Sequence, residues 1–216
     1  MFSILLQHPL IFFAWLCAFL IALSVHEFSH ALVGNWLGDR TAARMGRLTL
    51  NPVAHVDPIG LLAVILIGFG WGKPVPFNPY NLTWPKWGPV AIASAGPLSN
   101  LILAALSVIL SVNLGPLLGA NNLLLTFLVI SAQLNIALLV FNLIPLPPLD
   151  GSKALLALLA SPRYDAARMF IERQGSMLLF LLILLDAVGN LGIFSSLFAW
   201  GAQLLSLFAQ LPRILY

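Results

Sequence analysis

The sequence predicts an all-α polytopic membrane protein, and its composition and the lengths of its apolar runs support this prediction. Hydrophobic residues make up 60% of the 216 residues and charged residues only 8%, with a mean hydropathy of +0.98. A soluble domain with this composition would lack the polar surface needed to cover its exterior. Several apolar runs also reach the roughly 20 residues that a helix needs to cross a bilayer. We therefore expect lipid to surround most of the chain.

Five apolar runs are candidates for transmembrane helices. In chain order they cover about 9–37, 89–112, 122–146, 174–188 and 191–211. The second run contains Ala95-Gly96-Pro97-Leu98-Ser99-Asn100, whose small residues permit close packing between helices. The first three runs would form a core at 9–151, and the last two would add helices at 152–216. We expect one integral-membrane domain that covers 1–216.

The segment between the first two runs predicts two smaller features. Residues 44–57 include the alternating Arg47-Leu48-Thr49-Leu50, which indicates a short strand or hairpin closed by Asn51-Pro52, although an ordinary loop fits this pattern equally well. Residues 58–71 are apolar but number only 14, which favours a re-entrant segment over a full crossing. We therefore expect a small membrane-associated β hairpin, followed by a short re-entrant segment, after the first helix.

The basic residues predict a topology, because cytoplasmic loops of membrane proteins are enriched in Lys and Arg. If 58–71 is re-entrant and the chain crosses five times, all 10 Lys and Arg residues fall on one side of the membrane. A full crossing at 58–71 would split the same residues seven to three. The first arrangement is favoured, and it places the N-terminus outside and the C-terminus in the cytoplasm. It also brings the ends of the first and third runs to the cytoplasmic face.

The sequence His26-Glu27-Phe28-Ser29-His30 lies in the second half of the first run. Residues four apart share one face of a helix, so His26 and His30 can bind one Zn²⁺ with Glu27 beside the metal. The alternative is a chance pair of buried core histidines. Against it, an ionisable group at the centre of a membrane helix costs about 2.5–3.5 kcal/mol, yet three such groups occur within this motif. The motif therefore predicts a metal site.

A catalytic zinc site needs a third protein ligand, and Asp150 is the candidate. The only cysteine is Cys17 in the first run, so the ligands must be histidines and carboxylates. Asp150 follows a proline-rich segment at the end of the third run, on the same expected face as the histidines. The alternative role for Asp150 is to cap the helix that begins near Ser152. The other acids belong to loops, to a charged segment or to the opposite end of a later helix: Asp39, Asp57, Asp165, Glu172 and Asp186.

Four separated motifs together resemble those of the site-2 protease family of intramembrane zinc metalloproteases. In chain order they are 26–30, then 55–60 with 72–76, then 95–100, and finally 142–151. The resemblance implies that His26, His30 and Asp150 bind one Zn²⁺ per chain and that Glu27 is the general base.

The resemblance implies roles for two further residues, and it implies an architecture. Asn142 would bind the substrate backbone, and His55 would support the metal ligands or gate the site. The family core has three transmembrane helices with a membrane-associated strand region after the first, which agrees with the hairpin expected at 44–57. Many relatives carry a PDZ domain between the second and third core helices. Here only Ser111 to Asn121 fill that gap, so the resemblance is to the compact branch.

The resemblance also implies an activity, which is hydrolysis of peptide bonds within or near the transmembrane segment of a membrane-protein substrate. A transmembrane helix has its carbonyls already hydrogen-bonded, so the substrate must unwind before it is cleaved. We expect the unwound segment to add as a strand to 44–50 and to be held by Asn142.

A transporter or metal-permeation protein is the alternative function, because intramembrane His and Asp can line an ion path. That function predicts polar groups spread along a route or an internal repeat, and the sequence shows neither. The expected partners are the lipid bilayer and a transmembrane protein substrate. No basic patch interleaved with aromatic residues indicates nucleic acid, and the sequence gives no oligomeric state. We expect a prokaryotic cell membrane, with the metal site near its cytoplasmic face.

Overall fold

The computed structural model describes residues 2–67, 70–119 and 121–214, which are predominantly helical. The helices are α1 (Phe2–Gln7), α2 (Pro9–Trp36), α3 (Thr41–Arg44), α4 (Pro52–His55), α5 (Pro58–Ile67), α6 (Gly88–Leu118), α7 (Leu123–Asn142), α8 (Gly151–Leu158), α9 (Asp165–Gly189) and α10 (Ile193–Ile214). Single 3₁₀ turns occur at Pro79–Asn81 and Pro162–Tyr164.

Among the described residues, 4 helices are long and apolar enough to cross a membrane, namely α2, α6, α7 and, over Ile193–Gln210, α10. They correspond to the first, second, third and fifth predicted runs. The fourth run lies in α9, where Glu172 and Arg173 on one side and Asp186 on the other enclose only a short apolar stretch. The prediction of five crossings is therefore not supported.

Helices α2, α6 and α7 all contact one another and form the core of the fold. Small residues let them approach closely, since Ala22 of α2 and Ala104 of α6 are fully buried. Helix α10 covers α6 and α7 on one side. Gly201 of α10 makes this contact close, because a Cβ at that position would lie 2.6 Å from Ile136 Cγ2. The predicted three-helix core is therefore present, with an additional helix packed against it.

The prediction of a β hairpin at 44–57 is wrong. The described residues contain no β-strand, and the only pairing is an isolated antiparallel bridge between Val56 and Gly72. Asn51-Pro52, which we expected to close a hairpin, begins α4 instead. Asn51 Oδ1 accepts a hydrogen bond from the Val53 N–H at 3.1 Å, and proline suits the first helical position. The chain thus enters a helix where a returning strand was expected, and the docking edge for an unwound substrate at 44–50 loses its basis.

Helix α5 occupies most of the predicted re-entrant segment. Its 10 residues extend for about 15 Å, half the thickness of the hydrocarbon layer. Residues 68–69 of this segment lie outside the described residues. Val56 pairs with Gly72, and the Lys73 N–H donates to the His55 carbonyl at 2.7 Å. The two ends of the segment therefore lie side by side, as they do in a re-entrant segment.

Asp39 fixes the loop that follows α2. Its buried carboxylate accepts hydrogen bonds from Thr41 Oγ1 at 2.6 Å, from the Asn78 N–H at 2.6 Å and from Asn81 Nδ2 at 3.0 Å. Burial alone would raise the pKa of the Asp39 carboxyl, but these hydrogen bonds outweigh it and hold the pKa below its ordinary value. Asp39 thereby ties the end of the first core helix to the proline-rich loop before α6.

We expect the Asp39 carboxylate to make stability depend on pH. Its pKa is lower in the folded chain than in the unfolded chain, so its contribution is complete above the ordinary value of 3.8 and is lost as the pH falls through the folded value. Asp39→Asn should lower the free energy of unfolding by about 1–3 kcal/mol at neutral pH. Thermal unfolding of both proteins in detergent should show that the wild type is more stable than the variant at neutral pH and that this difference in stability disappears in acid. A stability difference that is the same at every pH would contradict this role of the Asp39 carboxylate.

Candidate metal centre

The side chains of His26, His30 and Asp150 meet at one point of the core. His26 Nε2 and His30 Nε2 are 3.0 Å apart, and each lies 3.2 Å from Asp150 Oδ2. The histidines are one turn apart on α2, whereas Asp150 comes from the segment between α7 and α8. The structure therefore brings together the three residues that the sequence predicted as metal ligands.

The Nδ1 atoms of the two histidines are engaged by α6, which leaves both Nε2 atoms facing Asp150. His30 Nδ1 lies 2.6 Å from the backbone carbonyl of Ile92. A carbonyl oxygen can only accept, so His30 Nδ1 carries a proton and donates it, and in the neutral imidazole His30 Nε2 then has a free lone pair. His26 Nδ1 lies 2.6 Å from Asn100 Oδ1, which is also an acceptor.

This cluster of acceptors fits a metal ion. If both imidazoles are neutral and donate through Nδ1, their Nε2 lone pairs face each other at 3.0 Å, an arrangement that a cation close to both stabilises. Asp150 Oδ2 is buried and accepts no hydrogen bond from the described residues. Two His nitrogens and one carboxylate oxygen are a donor set that zinc accepts, and atoms about 2.0–2.2 Å from one ion have mutual separations close to those seen here. Three protein ligands also leave the open position that a catalytic site requires.

Gly96 of α6 forms the wall behind the imidazoles. A Cβ at this position would lie 2.6 Å from His26 Cε1 and 2.6 Å from His30 Cε1, far inside normal contact. Only glycine lets the α6 backbone come this close to both rings. The sequence predicted only helix packing and a family resemblance for residues 95–100, and this function of Gly96 was not predicted. A small-residue motif in a chain that also has histidines in a membrane helix was a signal that could have indicated it.

Asp150 reaches the histidines because the chain folds back on itself after α7. A Cβ at Gly151 would lie 2.7 Å from the Ile144 carbonyl oxygen, so glycine is needed for this turn. Gly175 of α9 packs against Pro147, where a Cβ would lie 2.8 Å from Pro147 Cγ. Asp150 does occupy the N-cap position of α8, but its side chain makes no capping hydrogen bond. Its carboxylate is directed at the histidines instead.

Glu27 lies beside His26 on α2 and is 9% exposed. Its carboxylate has no hydrogen-bond partner among the described residues. An ionisable side chain with no partner is costly within a membrane helix, which makes a structural role for Glu27 a poor explanation of its position.

Asn142 and His55 form no hydrogen bond with the three clustered side chains in the described part of the chain. Asn142 ends α7, and its Nδ2 donates to the Leu138 carbonyl at 3.0 Å. His55 is fully buried, and its Nε2 donates to the Thr49 carbonyl at 2.7 Å while its Nδ1 has no partner among the described residues. The expected roles of Asn142 in substrate binding and of His55 in support or gating stay predictions.

Comparison with known proteins finds one family and several similar sequences. The sequence model of peptidase family M50 matches residues 119–185. The "Putative zinc metalloprotease YwhC" of Bacillus subtilis is 36% identical over 212 residues, which is 95% of this chain and 96% of that protein. The "Putative zinc metalloprotease Rip2" of Mycobacterium tuberculosis strain H37Rv is 32% identical, over 88% of this chain and 73% of the relative. No solved structure matches the chain.

Gly96→Ala should weaken zinc binding by at least about tenfold, because the new methyl group displaces both imidazoles from their present positions. Zinc affinity of the purified protein, measured by competition with a chelator, tests this expectation. Gly115→Ala is the matched control, since it makes the same change in the same helix and a Cβ there meets nothing within 4 Å. Equal affinities for the two variants would show that Gly96 does not shape the site.

Proposed function

Because the chain belongs to peptidase family M50 and is similar to proteins named as zinc metalloproteases, we propose that it hydrolyses peptide bonds within or near the transmembrane segments of membrane proteins. The observation that carries this proposal is the convergence of His26, His30 and Asp150 in a core built from helices that can cross a membrane. Glu27 is next to His26 in the sequence. A hydrolytic site in that position meets peptide bonds that lie in or next to the bilayer. Membership of a protease family also sets aside the transporter alternative.

We assign one Zn²⁺ per chain to His26 Nε2, His30 Nε2 and Asp150 Oδ2. When bound, the ion supplies Lewis acidity, which makes water a stronger acid and polarises the carbonyl that is attacked. The three side chains hold it, and Gly96 keeps the imidazoles in place from the opposite side.

Glu27 is the general base in this proposal. Its carboxylate takes the proton of the attacking water and holds it until the leaving amine receives it. Two observations support the assignment. Glu27 is adjacent to one proposed ligand in sequence, and its carboxylate accepts no hydrogen bond from the described residues.

The substrate helix must unwind before it reaches Glu27, because helical carbonyls are hydrogen-bonded and shielded from water. We assign recognition of the exposed backbone to Asn142, at the end of α7 and eight residues before Asp150. Its amide now donates to Leu138 in its own helix, and a substrate carbonyl can replace that acceptor. His55 acts more remotely, by holding the loop at Thr49.

The proposed orientation places the metal centre near the cytoplasmic face of a bacterial cell membrane. Basic residues flank both parts of the site, with Arg40 and Arg44 after α2 and Lys153 and Arg163 after Asp150. Cytoplasmic loops are the ones enriched in such residues. The matched relatives named above are bacterial proteins. The N-terminus would then lie outside.

Glu27→Gln should abolish cleavage of a model membrane-spanning substrate in lipid vesicles, because loss of a general base costs at least about 100-fold in rate. Zinc content should be unchanged, since Glu27 is not a proposed ligand. Glu172→Gln is the matched control, because Glu172 is exposed on α9 and, within the described part of the chain, pairs only with Arg168 at 3.0 Å. Undiminished cleavage by the Glu27 variant would remove Glu27 from the mechanism.

A further inference from the structure

A line of buried polar side chains runs from the metal centre through the three core helices. His26 Nδ1 on α2 is 2.6 Å from Asn100 Oδ1 on α6, and Asn100 Nδ2 is 2.8 Å from Asn135 Oδ1 on α7. Asn135 Nδ2 in turn lies 2.8 Å from the backbone carbonyl of Ser131. Asn100 and Asn135 are 0% and 1% exposed, so no solvent or lipid headgroup can satisfy them. Their hydrogen bonds are therefore made within the protein.

Two backbone carbonyls determine the direction of every hydrogen bond in this line. A carbonyl oxygen only accepts, so Asn135 must turn its NH₂ group toward Ser131, and its own oxygen must face Asn100. Asn100 must likewise turn its NH₂ group toward Asn135 and toward the Ala22 carbonyl, which lies 3.4 Å away. The oxygen of Asn100 is then the atom that faces His26. His26 Nδ1 must carry a proton to donate to it, and the lone pair of His26 is on Nε2.

The two histidines differ in how they are held. His30 Nδ1 donates to the Ile92 backbone carbonyl, which cannot present a donor. His26 Nδ1 faces a side-chain amide, which would present an N–H if it rotated by half a turn. A rotated Asn100 would make His26 Nδ1 the acceptor and put the proton on Nε2, where it would block metal binding. Something must therefore fix the direction of the Asn100 amide.

We propose that Asn135 and Asn100 are positioning residues, which fix His26 in the tautomer whose Nε2 lone pair faces the metal. Asn135 acts through Asn100, and its described hydrogen bonds are with Asn100 and Ser131 and not with a proposed ligand. The inference rests on the proposed assignment of His26 as a zinc ligand. It extends that assignment by making the metal centre depend on the register of α2, α6 and α7, because the line of hydrogen bonds crosses all three.

The first test compares two variants of α7 in the full-length purified protein. Asn135→Leu removes the acceptor that orients Asn100, and we expect zinc affinity by chelator competition to fall by about 10–100-fold. Gln133→Leu removes an exposed amide two residues away and should leave zinc affinity at the wild-type value. The visible spectrum of the Co²⁺-substituted protein should change for Asn135→Leu, because a ligand ring is displaced, and should overlay the wild-type spectrum for Gln133→Leu.

The second test distinguishes a positioning role of Asn100 from a role in helix packing. If Asn135→Leu does not fold, this test is sufficient by itself to decide whether Asn100 positions His26. Asn100→Asp keeps an oxygen acceptor opposite His26 but loses the NH₂ group that donates to Asn135 Oδ1 and to the Ala22 carbonyl, so it should bind zinc more tightly than Asn100→Leu. Asn100→Leu has no acceptor and should bind more weakly by about 10–100-fold. If Asn100 only packed helices together, the buried charge of Asp would be at least as harmful as Leu.

Two results would overturn the positioning role while leaving the ligand assignment intact. One is equal zinc affinity and an identical Co²⁺ spectrum for Asn135→Leu and Gln133→Leu. The other is equal weakening by Asn100→Asp and Asn100→Leu. A wild-type protein that binds no zinc would instead overturn the ligand assignment itself, so the two failures are distinguishable.

Discussion

The close contact of α6 with α2 at Gly96 is the interaction on which both histidines of the site depend. Ile92, Gly96 and Asn100 follow one another at intervals of one helical turn. The first and last of them bind the Nδ1 atoms of His30 and His26, and the glycine between them leaves room for both rings. A single stretch of α6 therefore sets the distance, the rotation and the protonated nitrogen of two imidazoles. This arrangement satisfies polar groups within the protein where lipid could not.

The third proposed ligand depends on a different set of contacts, which involve the C-terminal part of the chain. Asp150 lies beyond α7, and it reaches the histidines only because the chain turns back at Gly151. Gly175 brings α9 against Pro147, three residues before Asp150. Helix α9 is too charged to be counted among the candidate membrane helices, yet it packs against the segment that carries the Asp150 carboxylate. The C-terminal helices thus support the site as well as the bundle.

Local spacing made much of the site predictable from the sequence. His26 and His30 lie on one helix, so their proximity follows from helix geometry. Asp150 was predictable because it is the acid expected at the same membrane depth and on the same membrane face as the histidines. The structure also confirms three core helices. The prediction of a hairpin was wrong because Asn51-Pro52 is compatible with both a turn and a helix start, and only the fold decides between them. The buried position of His55 and the bonds of Asn100 with residues 74 and 35 positions away depend on tertiary packing, which a single sequence does not specify.

In the proposed centre, two imidazoles and the Asp150 carboxylate bind one zinc ion in the core of the helical bundle. X-ray absorption spectroscopy of the zinc-loaded, full-length protein tests this claim most directly, with Asp150→Ala as the comparison. The account predicts one zinc per chain, scattering from two imidazole ligands, and loss of one oxygen ligand or of the metal in the variant. Fewer than two imidazoles in the wild type, or an unchanged zinc environment in Asp150→Ala, would contradict it.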